Sequence, residues 1–579
     1  MTVQLKSMSI QTARLVIATT ALLCCTSPDI AAEPGIPDAL LTVAERSDFT
    51  ETSRSDEVKG LVDRFAAMAA HVRVYEIGRT NEDRPILAAE VDSHWAAGNK
   101  GNNGADDRLT ILLLGNIHSG ECAGKEALLM LLRDLTLDHK HRWLDDFRII
   151  FVPNYSADAN ERMGALHRPG QIGPNTMGLR ENAQGLDLNR DFVKLEAPET
   201  RALVKLIDQR NPHLFIDTHT TNGSRHRYAL TYDVPHNPAA PQPQIDFLRG
   251  QLLPEVTGRL AEDKIDTFYY GNLNGDHSRW TTFGHQPRYS TEYVGLRGRL
   301  AILSEAYSYV TYRDRIEATK AFVSECLNYA AEHRDTIRTL LADQADSIAH
   351  AGSRPVVGDR ISMSAKVEKF DTQVAIKGYK ATTADQEPSR KAKNHKVDFF
   401  GKFVSTRIVD RPFAYVLPFE ESRVADRLRM HGVRIEQLTE AIETEVEVYR
   451  ARKVERASKL FQSHALVDSQ VESRLETRRL AAQSYVIPMN QPLGNLIAYL
   501  LEPTSDDGLT TWNFFDRTWR TGADFPIVRI RGPVKLPTMV CADIEPAQKL
   551  DLDRIHGSVG RVSFDNPFTF ACATSFSVK

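Results

Sequence analysis

The sequence predicts an α/β protein with a mixed, mostly parallel sheet flanked by helices, followed by a mainly β accessory region. Continuous apolar runs of strand length recur through the first 340 residues, as expected for strands buried on both faces. Helical patterns of 10 to 15 residues alternate with these runs. Beyond residue 350, short strand candidates separated by turns replace this alternation. Because ligands of α/β sheets bind at the carboxyl ends of the strands, candidate site residues are expected there.

The elements of the first region follow from these patterns. The predicted strands cover 109–117, 147–155, 213–219 and 299–309. The predicted helices cover 124–135, 196–210 and 312–341, the last as one long closing helix. We expect this region to span residues 45–340.

The accessory region is predicted to span residues 350–579. Its strand candidates lie at 360–370, 372–379 and 411–418. A charged helix is predicted over 424–443. The segment 494–519 has the apolar and aromatic content of a surface that packs against the first region. Trp512 or Trp519 could also form part of a carbohydrate- or peptide-binding surface, but packing is the favoured role.

Composition excludes some classes of partner. Hydrophobic residues make up 42% of the 579 residues and charged residues 26%, which is ordinary for a globular protein. The net charge of −4 is small for this length. Such a balanced chain lacks the basic surface that nucleic acids require, so no nucleic-acid partner is expected. No stretch after the N-terminus is apolar and long enough to predict a membrane span.

Residues 1–32 have the pattern of a secretory signal peptide. Lys6 and Arg14 precede a short apolar segment, 15–25, and small residues follow it as far as Ala32. We therefore expect an exported protein, periplasmic or secreted, that is cleaved near Ala32. The tandem cysteines at 24–25 also fit a lipoprotein, but Leu23 is larger than the residue usual before a lipidated cysteine, so simple cleavage is favoured.

Polar residues follow two of the predicted strands in a pattern that suits a metal ion. His118 and Glu121 come directly after the strand 109–117, and His219 ends the strand 213–219. Zinc in hydrolases is commonly held by two histidines and one carboxylate, with a fourth position left open. Asp217 lies two residues before His219, on the same side of the strand, where it can orient the imidazole as a hydrogen-bond acceptor.

A third cluster lies between these segments. Asn189 and Arg190 stand together behind a short turn, and Arg180 precedes them by nine residues. Arginine suits bidentate binding of a carboxylate, and an arginine beside a metal ion can polarise a carbonyl oxygen. If these residues stood alone, surface ion pairs would explain them better.

Taken together, the motifs "HSGE", "DLNRDF" and "DTH" resemble the carboxypeptidase A family of zinc metallopeptidases. That family shows His-x-x-Glu, then Asn-Arg, then His, then a late glutamate, for which "RLAILSEAYSY" supplies Glu305. The resemblance covers roughly 45–340. It departs from the pattern at 156–159, where "SADA" stands in place of the Asn-Pro-Asp-Gly of many members.

The resemblance implies a zinc carboxypeptidase-like catalytic domain and a role for each matching residue. Zn²⁺ would be held by His118, Glu121 and His219, and a zinc-activated water would lose its proton to Glu305 as general base. Arg180 would stabilise the oxyanion. Asn189 and Arg190 would bind the terminal carboxylate of a peptide substrate. The family also uses a tyrosine before the late glutamate, and Tyr293 is preferred to Tyr289 for that role.

Two other functions remain open at this point. Relatives with the same metal-binding residues hydrolyse N-acyl amino acids or trim cell-wall peptides, so a zinc amidase or deacylase is the main alternative to a carboxypeptidase. A non-catalytic secreted binding protein is the minor one. It would be indicated by loss of a metal ligand or of the base, and none of these residues is missing from the sequence.

Overall fold

The computed structural model describes residues 36–96, 106–380 and 391–541. The predicted signal peptide, 1–32, lies outside the described residues. The described residues from Ala39 onward form one compact unit, which contains every residue of the candidate site.

The helices alternate with strands as far as residue 353. The α-helices are α1 Val43–Arg46, α2 Ser55–Met68, α3 Ser93–Ala96, α4 Ala123–Leu137, α5 Trp143–Asp146, α6 Ala157–Glu161, α7 Pro198–Arg210, α8 Gln242–Phe247, α9 Leu253–Glu262, α10 Ser290–Leu296, α11 Tyr312–Glu332, α12 Arg334–Ser353, α13 Ser422–Met430 and α14 Gly494–Leu501. Short 3-10 turns occur at Asp38–Leu40, Leu188–Arg190 and Phe419–Glu421, and a π turn, Leu248–Leu252, joins α8 to α9.

The strands fall into two groups, before and after α12. The first group is β1 Val72–Arg79, β2 Pro85–Val91, β3 Leu109–Gly115, β4 Phe147–Val152, β5 Leu214–Thr221, β6 Leu230–Asp233, β7 Thr267–Tyr269, β8 Asn272–Leu273, β9 Arg279–Thr281 and β10 Leu300–Tyr307. The second group is β11 Arg360–Lys369, β12 Val374–Tyr379, β13 Ala392–Asp410, β14 Ala414–Leu417, β15 Glu436–Leu438, β16 Ile442–Arg456, β17 Val467–Leu480, β18 Tyr485–Pro488, β19 Val528–Ile530 and β20 Thr538–Val540.

The main sheet confirms the predicted α/β class. Within the described residues its strand order is β1-β2-β4-β3-β5-β10-β6-β7. The neighbours at its centre, β4, β3, β5 and β10, run parallel, whereas β1, β2 and β6 join antiparallel. Every residue of β3 and β5 is buried, which explains why both sequences are continuous apolar runs until the polar end of β5.

The parallel arrangement brings the carboxyl ends of β3, β5 and β10 to one edge of the sheet. The register pairs Leu114 on β3 with Asp217 on β5, and Glu305 on β10 with His219 on β5. Chain segments that follow β3 therefore start beside the polar end of β5. This edge holds the residues that the sequence motifs singled out.

Two of the predicted helices differ from the structure. The closing helix is two helices, α11 and α12, separated at His333, whose backbone angles of φ −116° and ψ 23° leave the helical region. The helix predicted over 424–443 was wrong in its second half, because α13 ends at Met430 and Gly432 follows with a φ of +79°. A glycine in this left-handed conformation is a common helix terminator, and strands β15 and β16 follow it.

The mainly β accessory region is confirmed, and one of its strands pairs with a strand of the first region. In one sheet the order is β11-β13-β9-β8, so that β13 lies parallel to β9 of the first group. Trp280 on β9 is fully buried in a cluster with Val397 and Phe399 of β13. Another sheet has the order β17-β16-β19-β14-β18-β15-β20.

Trp512 and Trp519 are almost completely buried, in one core cluster with side chains of both regions. The prediction that they pack is confirmed.

None of the helices in the described segments has the length and apolar character needed to cross a bilayer.

Candidate metal centre and active site

His118, Glu121 and His219 meet at the carboxyl edge of the sheet. Each offers one ligand atom, and these atoms all lie within 4.8 Å of one another. All three side chains are buried. The turn that delivers the first two begins at Asn116, which has a φ of +66°, and closes with a hydrogen bond from the backbone N–H of Glu121 to the carbonyl of His118. Helix α4 begins just after this turn and anchors it, since α4 packs against β3 and β5.

Both imidazoles direct Nδ1 toward the shared carboxylate. His118 Nδ1 lies 3.1 Å from Glu121 Oε1, and His219 Nδ1 lies 2.9 Å from Glu121 Oε2. Their Nε2 atoms contact other carboxylates, His118 that of Asp187 at 3.0 Å and His219 that of Asp217 at 3.0 Å. A carboxylate at Nε2 fixes the ring orientation and leaves Nδ1 as the ligand atom. Asp217 thus makes the contact with His219 that its predicted orienting role requires.

The donor set fits a zinc ion. Two imidazole nitrogens and one carboxylate are the ligands of many catalytic zinc sites, and both imidazoles have the supporting carboxylates that such sites use. Burial disfavours a charge on His219, but Asp217 and Glu121 raise its pKa well above the usual value. The site thus attracts positive charge at the position where the ligand atoms converge.

Two arginines contact the same carboxylates. Arg168 Nη1 donates to Glu121 Oε1 at 2.6 Å, and Arg180 Nη2 lies 2.8 Å from Asp187 Oδ2. Burial opposes ionisation of Glu121, but Arg168 and His118 hold its pKa well below the usual value. The side chain of Arg168 is 9% exposed, whereas that of Arg180 is 39% exposed. Arg180 therefore has the solvent access that contact with a ligand requires, while Arg168 is largely enclosed.

Glu305 lies on β10 directly opposite His219 in the strand register. Its Oε2 is buried and has no hydrogen-bond partner among the described residues. Burial raises the pKa of Glu305 to about 8, an effect that His219 reduces and Glu121 increases. A carboxyl group with a pKa near neutrality and a free oxygen can both accept and donate a proton, as general acid–base catalysis requires.

Asn189 and Arg190 lie in the 3-10 turn that Asp187 caps through a 2.9 Å hydrogen bond to the backbone N–H of Asn189. Asn189 Oδ1 accepts from the backbone N–H of Ser290 at 2.8 Å, which fixes its amide. The guanidinium of Arg190 stacks on the ring of Tyr289 at 4.4 Å. Asp187 thus connects this pair to the metal ligands.

The structure does not bring Tyr293 to the site, which corrects the preference for Tyr293 over Tyr289. Tyr293 lies one turn into α10 and is fully buried, with its hydroxyl donating to His431 Nδ1 at 2.8 Å. Tyr289 precedes that helix and contacts Arg190 instead. Tyr289 lies just outside the helix in an extended conformation, whereas Tyr293 lies within the helix and is buried in the core.

Three residues beside the site were missed by the sequence analysis. Asp187 belongs to the quoted motif, and its position two residues before Asn189 is a cap signal that was available. Arg168 and Tyr270 lie in loops without any pattern. Burial raises the pKa of Tyr270, and the charges of Glu305 and Glu121 act on it, which places its phenol near both.

The segment 156–159, where the sequence departs from the family pattern, still supports the surroundings of the proposed metal ligands. Residues from Ala157 form the short helix α6, and Asp158 is buried with hydrogen bonds from Thr80 and Arg84. Ser119, between the first two metal ligands, donates to the carbonyl of Ser156 at 2.8 Å. The segment therefore still supports the turn that carries His118.

The fold and the site define a metal-dependent hydrolase of the α/β class. In agreement, residues 59–246 match the sequence model of the zinc carboxypeptidase family. This range includes His118, Glu121 and His219 but ends before Glu305. The likeness to the zinc carboxypeptidase family therefore lies in this segment of the chain.

Individual proteins similar to this chain carry carboxypeptidase names. Carboxypeptidase 2 of Trichophyton tonsurans is 22% identical over 449 residues, covering 73% of this chain and 77% of the relative. Human carboxypeptidase Z is 33% identical over 180 residues, covering 30% and 26%. A metallo-carboxypeptidase structure from Burkholderia cenocepacia aligns at 18% identity with a TM-score of 0.35, covering 48% of this chain and 69% of that one.

Proposed function

We propose that this protein is an exported zinc carboxypeptidase that hydrolyses the C-terminal peptide bond of a peptide. The observation that carries the proposal is the position of Glu305, whose unpartnered carboxylate oxygen lies beside the convergent ligands His118, Glu121 and His219. Bound by these three residues, zinc would supply Lewis-acid chemistry that polarises a carbonyl and makes water more acidic. The other residues of the site then have separate tasks.

Substrate binding is assigned to Asn189 and Arg190. A guanidinium matches a carboxylate with two parallel hydrogen bonds, and stacking on Tyr289 holds the Arg190 fork in place. Asn189 adds a side-chain amide, held by its bond from Ser290. A free terminal carboxylate is the group that this pair recognises, which is why a carboxypeptidase is preferred.

Proton transfer is assigned to Glu305 and charge stabilisation to Arg180. Glu305 accepts a proton from the attacking water as a carbon–oxygen bond forms at the scissile carbonyl. Arg180 stabilises the negative charge that develops on the carbonyl oxygen. Glu305 then donates the proton to the amide nitrogen as the carbon–nitrogen bond breaks, so that a free amine leaves. The raised pKa of Glu305 suits both halves of this cycle.

The test replaces the proposed base by its amide. Glu305→Gln should lower the release of C-terminal amino acids by roughly 10²- to 10⁴-fold, the range for loss of a general base, while zinc remains bound. Glu317→Gln, at an exposed position of α11, is the matched control and should leave the rate unchanged. Full activity of Glu305→Gln would refute the assignment of the base.

A substrate panel separates the alternatives. Peptides with a free C-terminus should be cleaved, and the same peptides with an amidated C-terminus should not. Preference for N-acyl amino acids or for cell-wall peptides with D-residues would establish the amidase or deacylase alternative. Bound zinc without hydrolysis of any of these would favour the binding protein.

Export is proposed from the N-terminal sequence pattern. If it is correct, protein recovered from outside the cytoplasm should begin close to residue 33, as N-terminal sequencing can determine. An uncleaved N-terminus, or a lipid on Cys24 or Cys25, would contradict simple cleavage near Ala32.

A further inference from the structure

The turn between β16 and β17 in the accessory region reaches the candidate active site. It is a two-residue hairpin turn, Gln462–Ser463, closed by reciprocal backbone hydrogen bonds of 2.9 and 3.0 Å between Phe461 and His464. We call residues 461–464 the hairpin tip. The hairpin tip contacts Asp187, Glu196 and Arg288, which all belong to the catalytic region.

The central contact is a hydrogen bond to Asp187. Gln462 Oε1 accepts from the backbone N–H of Asp187 at 2.9 Å. Asp187 is buried, and its carboxylate contacts His118 Nε2 and Arg180. The accessory region therefore holds the backbone of the residue that orients one metal ligand and the proposed oxyanion-stabilising arginine.

Neighbouring contacts fix the tip on both sides of Gln462. His464 Nε2 lies 3.0 Å from Glu196 Oε1, on the chain that leads into α7. Phe461 packs under the guanidinium of Arg288 at 5.1 Å. These contacts place Gln462 between two segments of the catalytic region, so its position does not depend on one hydrogen bond alone.

The backbone of the tip is strained. Gln462 has a φ of +50° and Ser463 a φ of +67°. Two positive φ angles are what this type of turn needs, but asparagine and glycine are the residues that adopt them readily. Glutamine and serine adopt them at a cost in free energy, and such strain persists where the surrounding contacts hold the backbone in place. Here the strained position carries the side chain that binds Asp187.

We propose that Gln462 is a positioning residue of the metal centre, acting through Asp187. Its hydrogen bond holds the Asp187 backbone so that the carboxylate stays against His118 Nε2, which keeps Nδ1 directed at the ligand position. The accessory region thereby contributes to metal binding without supplying a ligand. The proposal depends on the proposed function only for its effect on turnover, since metal affinity can be measured without a substrate.

The experiment compares two replacements of similar size in the full-length protein. Gln462→Met removes the acceptor and should weaken zinc binding roughly 2- to 10-fold, the factor for loss of one hydrogen bond. Gln462→Glu keeps an acceptor oxygen and should retain affinity. Zinc affinity is measured by competition with a chelator, and the thermal midpoint of the metal-free protein is measured alongside it.

Two further variants on the same hairpin are controls. Gln470→Met makes the same chemical change at an exposed position of β17 and should alter neither quantity. Ser463→Gly relaxes the strained φ while leaving Gln462 in place, so it should maintain zinc affinity and not lower the thermal midpoint.

The outcomes are distinguishable. Weaker zinc binding in Gln462→Met alone, with an unchanged midpoint, supports the proposal. Wild-type affinity in that variant would overturn it, as would equal losses in Ser463→Gly, because the side chain of Gln462 would then not be the cause. If wild-type protein binds zinc but releases no C-terminal amino acid, the proposed function fails while this comparison still decides the role of Gln462.

Discussion

Replacing Asp217 by asparagine should weaken zinc binding although Asp217 is not a ligand. Its Oδ2 contacts His219 Nε2 at 3.0 Å and also accepts from the hydroxyl of Ser290, while its Oδ1 is buried without a partner among the described residues. Asparagine keeps the shape of the side chain but loses its charge. If its oxygen faces His219, its amide group occupies the Oδ1 position, which has no hydrogen-bond partner among the described residues of the wild type.

The expected loss follows from these contacts. A hydrogen bond that involves a charged, buried group contributes about 1.5–3 kcal/mol. Removing an orienting carboxylate from a metal-bound histidine commonly weakens metal binding by roughly 10- to 100-fold, equivalent to about 1.4–2.7 kcal/mol. The two ranges overlap, so we expect a loss of this size for Asp217→Asn.

Proton release gives a second, independent signature. In the metal-free protein, burial opposes protonation of His219, but Asp217 and Glu121 raise its pKa well above the usual value. Zinc must therefore displace a proton from His219 at neutral pH. Without the charge of Asp217 that pKa falls, so zinc binding to Asp217→Asn should release fewer protons than binding to the wild type.

Calorimetric titration in two buffers of different ionisation enthalpy measures affinity and proton release together. Asp233→Asn is the matched control, since Asp233 is another buried aspartate that contacts a histidine, His236 Nε2 at 3.2 Å, outside the metal ligands. Zinc binding by Asp217→Asn within twofold of the wild type would refute the reasoning. An equal loss in Asp233→Asn would do so as well, because it would indicate general destabilisation.

Three further predictions concern the loop at the metal ligands, the tyrosine pair and the hairpin tip. Gly120→Ala should weaken zinc binding, because a Cβ there would lie 2.7 Å from Arg168 Cδ and displace that side chain from Glu121. Gly275→Ala is the control, since the space around its Cβ is open, and it should not change zinc binding. Competition with a chelator compares the two variants. Tyr289→Leu should raise KM for peptides with a free carboxylate about 2- to 5-fold, since a cation–π contact of about 0.5–1 kcal/mol is lost. Tyr293→Phe should instead leave KM unchanged and lower the free energy of unfolding by about 1–3 kcal/mol, because a buried hydrogen bond is removed. The hydrogen bond that His464 donates to the carboxylate of Glu196 raises the pKa of His464. The stabilisation from this pair is therefore fully present below the unfolded pKa near 6.5 and is lost as pH rises through the raised value. His464→Gln should therefore lower the thermal midpoint relative to wild type at pH 6 and have little effect at pH 9, and equal effects at both would contradict this.

The parts of the fold that were predictable are those where burial dictates composition. Strands β3 and β5 are buried on both faces, so their apolar runs identify them, and the polar residues at the end of β5 mark the site. The break between α11 and α12 was not predictable, because no glycine or proline marks His333. The end of α13 was predictable, since Gly432 follows it and glycine is a common helix terminator.

A site residue could be predicted where a sequence motif marks it, and could not where only contacts distant in the sequence bring it to the site. His118, Glu121 and His219 follow strands whose ends meet, so order along the chain was sufficient to group them. Arg168 reaches Glu121 from a loop 47 residues away, and nothing local marks it. Tyr289 precedes α10 whereas Tyr293 lies within it, so the choice between them depends on where a seven-residue helix begins.

The pairing of β13 with β9 has a consequence for how such a protein can change over time. Arg279–Thr281 is a short strand, and its sheet neighbour on one side comes from a strand more than a hundred residues later in the chain. Trp280 is fully buried where side chains of the two regions pack together. A recombination event that exchanged only the first 350 residues for those of another protein would have to match that interface, so the two regions are expected to be inherited as one cassette.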